Sequence, residues 1–282
     1  MRIISSASRR ATRLWHRIDL WLWRTRGILG GEQRAVPDPD FAHVVAEFGL
    51  PIIKPAAQAH LFEGKLHNLR LAISRMHGLV LPPGGGFSFA DRVGPPTLER
   101  GFREGPSFEA GRVRSSPGGG LCQLSGLLYN LALLAGCEIR ERHPHSIDAY
   151  GEARYVPLGR DATVAFGVKD LRFRNVLPWP LLLELTASET FAGGRVLSTS
   201  PLPFSVSIDV EGRGDVRSPV QVRRDDGLAP GAERVEPGLT GRRVTARRTF
   251  RYPDGQKRSQ RLSRDVYRAT PTTRFYGPSR NA

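Results

Sequence analysis

The sequence predicts an α+β fold, with a central cysteine-bearing helix packed on a mostly antiparallel sheet and a β-rich C-terminal part. Two observations predict it. Between Gly118 and Gly136 a glycine triplet leads into an apolar run of helical period that closes on a glycine. Beyond Gly136 short alternating runs are separated by Gly, Pro and Asp turns, the pattern of strands in a meander. Composition shifts divide the chain into a basic amphipathic segment over 1–35, an α+β domain over 36–190 and a β-rich extension over 191–282.

The glycine-led helix is the chemical centre of the reading. At about 100° per residue, Leu121, Leu124, Leu127, Leu128, Leu131, Leu134 and Ala135 form one broad apolar face. Cys122, Ser125, Gly126 and Tyr129 fall opposite, with Gln123 and Asn130 flanking them. Cys122 therefore sits in the first turn, where unpaired N–H groups and the helix dipole favour a thiolate. The N–H groups of Gly118, Gly119 and Gly120 are placed to hold an anionic oxygen. A lone cysteine is usually a small buried hydrophobe; its position opposite the leucines points instead to a site.

The 282 residues carry a formal charge of +15, which invites a nucleic-acid reading. Only four of the 42 basic residues are lysines, however, and the arginines are spread along the whole chain without a nucleic-acid module. Nucleic acid is therefore disfavoured as a partner, while an anionic membrane or an acidic partner fits the charge. Cys122 and Cys137 lie at opposite ends of the helix, about 22 Å apart at 1.5 Å per residue, too far for a disulfide. Two unpaired thiols fit a reducing compartment, and no apolar stretch of the N-terminus is followed by a small-residue cleavage site. The expected location is cytoplasmic, with the leader able to touch the inner face of the membrane.

In chain order, Leu14, Trp15, Ile18, Trp21 and Leu22 share a helical face in the basic leader. That face suits either an anionic lipid surface or the body of the protein; Leu20 and Trp23 interrupt the polar side and favour packing. Pro37-Asp38-Pro39 marks a linker. Leu66, Leu69, Ala72 and Met76 predict a helix over about 63–77, ended by Gly78 and the Pro82–Gly86 run. Phe87–Phe89 reads as a short strand, and Gly101–Gly105 as irregular chain. Cys137–Ser146 alternates like a strand whose one face carries Ile139, Glu141, His143 and His145. Ala162–Phe166, Leu171–Phe173, Leu181–Leu185 and Ser205–Val210 read as strands, and Thr249–Tyr252 with Arg261–Val266 as a hairpin. The tail after Thr270 reads as loosely held.

These pieces resemble the VanW family, named after an accessory protein of B-type vancomycin resistance clusters. The resemblance rests on Gly86-Phe-Ser-Phe89, Gly118-Gly-Gly-Leu-Cys-Gln-Leu-Ser125, Leu128-Tyr129, Glu141-Arg-His143 with His145-Ser146, Asp161-Ala-Thr-Val164, and Asp170-Leu with Phe173 and Asn175. It is strong from about 60 to 185, weaker toward the C-terminus and absent in the leader. It implies a link to cell-wall or glycopeptide-resistance biology, in a short stand-alone form.

A thiol nucleophile needs a base within reach and a group to orient that base. Cys122, then His143 or His145, then Asp161 supply those types in order, a succession similar to the transglutaminase-like and papain-type enzymes. In that likeness Cys122 attacks an acyl carbon, His145 shuttles the proton and Asp161 holds the imidazole. Gln123 or the glycine N–H groups bind the oxyanion, while Ser125 and Tyr129 complete the substrate-binding set. The chemistry is amide hydrolysis or acyl transfer on a peptidoglycan-type peptide, with no cofactor. In the alternative, the same pocket binds a cell-wall precursor or peptide without turnover, Arg142 and Arg160 meeting a carboxylate. Two further readings are a metal held by Cys122, His143, His145 and Asp161, without the paired thiolates of structural zinc, and a phosphate cradled by Gly118–Gly120, without the Lys-Ser/Thr of a P-loop.

Overall fold

A computed structural model describes residues 32–33, 40–109, 112–149, 151 and 154–279. The leader helix and the Pro37–Pro39 linker lie outside the described residues. The chain runs through β1 (Glu32–Gln33), β2 (His43–Pro51), α1 (Phe62–Ser74), β3 (Leu79–Leu81), β4 (Gly86–Ser88) and the short α2 (Phe89–Val93). The hairpin of β5 (Glu104–Glu109) and β6 (Arg112–Pro117) delivers it to α3 (Leu121–Leu134), followed by β7 (Glu138–Glu141) and β8 (Arg172–Arg174). Strands β9 (Leu181–Ala187), β10 (Phe191–Ser198), β11 (Ser205–Val216), β12 (Val220–Arg224), β13 (Glu233–Glu236), β14 (Gly241–Arg251), β15 (Lys257–Tyr267) and β16 (Thr272–Tyr276) complete it.

The fold is α+β and largely antiparallel, as the turn-punctuated pattern predicts. Its main sheet has the order β1-β3-β9-β10-β2, every neighbouring pair antiparallel. Smaller sheets are β4-β8-β7, β5-β6, β11-β14-β15 and β12-β16-β13, of which β12–β16 is a parallel pair. Helices α1 and α3 lie against the main sheet and each other. The period-2 rule sorts the strands: Leu79, Leu81, Leu181, Leu183 and Leu185 join the principal core, whereas Val80 and Leu182 form a second cluster with Phe41. Leu127 of α3 is fully buried in that core, so Leu127→Ala would cost about 2–5 kcal/mol.

Several local expectations change for identifiable reasons. The polar side of α3 faces protein rather than solvent, because the 155–164 segment lies over it. Ser125 donates to the Ala162 carbonyl at 2.6 Å, Asn130 donates to the Arg160 carbonyl at 2.9 Å, and Gly126 leaves room for Tyr155 and the Ala162 backbone. Ala162–Phe166 alternates as a strand would but gains no ladder; its one pairing is the isolated bridge Ala165–Lys169. Phe89 opens α2 rather than ending a strand, since the Ser88 hydroxyl caps that helix by accepting from the Asp91 N–H at 3.0 Å. The irregular stretch before α3 is the β5–β6 hairpin, and the tail beyond Thr270 is tied in as β16 between β12 and β13. Strand β7 stops at Glu141 with a register shift after Ile139, so the shared face expected for Ile139, Glu141, His143 and His145 is broken.

Candidate functional site

Cys122 is carried into place by the glycine loop. Gly120 precedes α3 with φ of +99°, a left-handed conformation natural to glycine, and a Cβ there would lie 2.6 Å from Cγ of Lys65. Gly119 passes so close to Gly105 that a Cβ would meet its carbonyl at 2.1 Å. Buried Asn68 of α1 pins both sides: its amide donates to the Arg103 carbonyl at 2.8 Å and the Gly119 carbonyl at 3.1 Å, and accepts from the Arg103 N–H. The partly exposed Cys122 thiol then faces the 163–164 backbone, 3.4 Å from Oγ1 of Thr163 and 3.7 Å from the Val164 carbonyl.

The imidazole of His145 sits beside that sulfur, close enough that each changes the other's ionisation. Nδ1 of His145 lies 2.5 Å from Oδ2 of Asp161, which also accepts from the His145 N–H at 2.8 Å. With Nδ1 held by the carboxylate, the other ring nitrogen is the one free to meet the thiol. Asp161 is braced in turn by Nη2 of Arg142 at 2.8 Å and by the hydroxyl of Tyr267 at 2.5 Å. Arg142 spans to Asp265 through Nη1 at 2.6 Å, and its Nε donates to the Asp161 carbonyl. Cysteine, imidazole and carboxylate thus meet from α3 and two flanking loop segments.

Ionisation follows from this geometry. Burial opposes a thiolate at Cys122, but the hydrogen bond and charge of His145, with Thr163 and the Val164 contact, outweigh it and bring the thiol down to about 7. Burial likewise opposes protonation of His145; Asp161 and Cys122 together raise it to about 10. Asp161, despite burial, is held down at about 2 by His145, Arg142 and Tyr267. Between about 7 and 10 the pair is a thiolate beside an imidazolium. Cys137, buried without such a partner, is pushed up to about 12 and is inert by comparison.

Cys122, His145 and Asp161 open into one cavity of about 440 Å³, together with Gly118, Gly119, Gly120 and Gln123. The other sequence-derived residues lie elsewhere. His143 turns to Glu141, its Nε2 2.9 Å from Oε1. Ser125 and Tyr129 are buried under the 155–164 segment and the Arg142 guanidinium, which stacks 5.2 Å above the Tyr129 ring. Arg142 is committed to the two aspartates, and Arg160 donates to the Asn130 side chain at 2.7 Å while lying over Phe48. The N–H groups of Gly118 and Gly119 serve the carbonyls of Arg103 and Ser116. The Gln123 amide donates to the Pro51 carbonyl at 2.6 Å, leaving its buried Oε1 without a partner. No cluster of three His, Cys, Asp or Glu side chains is disposed for a metal ion among the described residues, and no described helix is long and apolar enough to cross a membrane.

Sequence reasoning missed Lys65, Asp265 and Tyr267. Lys65 left a signal, because it falls on the apolar stripe Phe62-Lys65-Leu66-Leu69 of α1; the other two arrive by long-range packing that no local pattern announces.

Residues 64–196 match a family model described as VanW like protein. The chain is 32% identical over 136 residues to the uncharacterized protein YoaR of Bacillus subtilis (strain 168), covering 48% of this chain and 43% of that one. It is 33% identical over 114 residues to the vancomycin B-type resistance protein VanW of Enterococcus faecalis (strain ATCC 700802 / V583), covering 40% of this chain and 42% of that one. The chain thus spans less than half the length of the curated relatives it matches. Two solved structures, of an IgA1 protease G5 domain and of HP0197-G5, align at 18% identity over 27% and 26% of this chain and 94% and 97% of theirs. Their TM-scores of 0.21 and 0.17 are too low to carry an argument. Over residues 64–196, the segment that carries Cys122, His145 and Asp161, the chain is VanW-like.

Proposed function

We propose that this chain is a cysteine-dependent amide hydrolase or acyltransferase that acts on a peptidoglycan-type peptide, in the cell-wall and glycopeptide-resistance setting that the name of its enterococcal relative suggests. One observation carries the reading: a single imidazole is gripped at Nδ1 by Asp161 and set beside the Cys122 sulfur in one cavity. The thiolate of Cys122 attacks the amide carbon, and a C–S bond forms as the carbonyl π electrons move to oxygen. The tetrahedral intermediate collapses, the C–N bond breaks, and His145 gives its proton to the departing amine. Water or an acceptor amine then attacks the thioester while His145 takes back a proton, and the thiolate leaves. The unpaired Cys122 and Cys137 support the reducing, cytoplasmic setting expected from the sequence.

A second reading, binding of the same peptide without turnover, has its own support. The Gln123 amide and the N–H groups of Gly118 and Gly119 are already engaged, so the main-chain N–H groups of Gly120 and Cys122 are left as the oxyanion donors beside the sulfur. Incubation with peptidoglycan stem peptides, followed by mass spectrometry, decides between them. Cleavage or transfer by the wild type that is absent in Cys122→Ala supports the enzyme; calorimetric binding by both proteins with no product supports the module.

A further inference from the structure

The cavity is lined by a largely buried cation that the triad does not use. Lys65 projects from the apolar stripe of α1, is only 9% exposed, and makes no hydrogen bond or ion pair among the described residues. Its stem crosses the loop where Gly120 has no side chain, two residues before Cys122. Among the described residues, the acids that line the cavity are already matched. Asp148 pairs with Arg154 at 2.7 Å, Asp161 with His145 and Arg142, and a Cys122 thiolate with the His145 imidazolium. Lys169, partly exposed, also lines the cavity and lies in no ion pair. Among the described residues the cavity is therefore short of negative charge, and an ammonium that lines it on a largely buried stem with no protein partner is one that a bound anion would match.

We propose that Lys65 anchors the free carboxylate of the substrate, so that the peptide taken by this site is a short acyl-peptide with an ionised C-terminus. This deepens the reading above and rests on it. A carboxylate fits better than a phosphate, because one ammonium balances one charge and the N–H groups of Gly118 and Gly119, which would cradle more oxygens, are spent on Arg103 and Ser116. Phe62, Phe89, Val93 and Tyr155 give apolar wall for a side chain. Anion anchor and apolar wall together describe the end of a peptide. Arg142 and Arg160, the carboxylate partners expected from the sequence, are committed elsewhere.

The test is calorimetry with N-acetyl-alanyl-alanine, its C-terminal amide and inorganic phosphate, on wild type, Cys122→Ala and Lys65→Met. The expected result is that wild type and Cys122→Ala bind the carboxylate form at least about tenfold more tightly than the amide, and that Lys65→Met binds the two alike. Equal binding of acid and amide by the wild type overturns the anchor whether or not any variant folds. Phosphate binding tighter than that of the acid overturns it too. The two proposals fail separately. Selective binding of the acid without cleavage of either peptide keeps the anchor and removes the enzyme, whereas cleavage of acid and amide at equal rates keeps the enzyme and removes the anchor.

Discussion

The Tyr267 hydroxyl donates to Oδ1 of Asp161 at 2.5 Å, while Oδ2 of the same carboxylate is 2.5 Å from Nδ1 of His145. One aspartate therefore joins the last long strand of the chain to the imidazole beside Cys122. Its two oxygens are divided between β15 and that ring.

The acidity of Cys122 is the most direct consequence. Alkylation by iodoacetamide follows the thiolate, so its rate should rise through a midpoint near 7, with Cys137 unlabelled in the native protein. In His145→Gln burial is opposed only by Thr163 and the Val164 contact, and the midpoint should rise to the ordinary thiol value of 9 or above. At pH 7 that corresponds to a labelling rate lower by about 50-fold or more. A midpoint unchanged by the substitution would separate His145 from the sulfur.

Asp161→Asn should be more damaging to the fold. It leaves Arg142 with one carboxylate instead of two and removes a buried charge pair, at a cost of about 3–5 kcal/mol in chemical denaturation. Because folding lowers the Asp161 pKa from 3.8 to about 2, its contribution is present above the unfolded value and lost as pH falls toward about 2. The variant should lack that part of the acid transition, and its thiol midpoint should rise as the imidazolium loses its carboxylate.

Tyr267→Phe separates bracing from chemistry. The phenol oxygen also accepts from the Gly159 N–H at 2.7 Å, so the change orphans a buried donor and should cost about 1–3 kcal/mol. His145 keeps both its partners. The labelling midpoint should shift far less than in Asp161→Asn, and an equal shift would place Tyr267 in the proton-transfer machinery itself.

Lys65→Met should stabilise the unliganded protein. Burial lowers the Lys65 pKa from 10.5 to about 8, so the folded state binds fewer protons than the unfolded chain between those values. Stability should rise with pH across that window in the wild type and not in the variant. Below about 8 the variant should gain on the order of 3 kcal/mol, read as a higher midpoint in urea. A loss instead would mean that the ammonium has a stabilising partner.

The parts of the site that were legible in the sequence are those set by short spacing. A glycine triplet, a helix start and a cysteine in its first turn are local events, and so is the glycine at the far end. Choosing His145 over His143 was not local, because it depends on where β7 loses its partner after Glu141. Ala162–Phe166 reads as a strand but finds no neighbouring ladder: Ala162 packs in the core while Thr163, Val164, Ala165 and Phe166 line the cavity. Lys65 was readable as a charge on an apolar stripe in a chain with only four lysines. Asp265 and Tyr267 were not, since more than 100 residues separate Asp161 from both.

The Arg142 clamp has a consequence for how the molecule is assembled. The guanidinium grips Asp161 with one nitrogen and Asp265 of β15 with another, yet the family segment ends at residue 196. Seating of the β14–β15 hairpin and the acidity of the Cys122 thiol are therefore interlocked. Severing the β14–β15 connection would blunt the sulfur while the helix beneath it stayed formed, so the rate of thiol capture doubles as a gauge of whether the distal third of the polypeptide has docked.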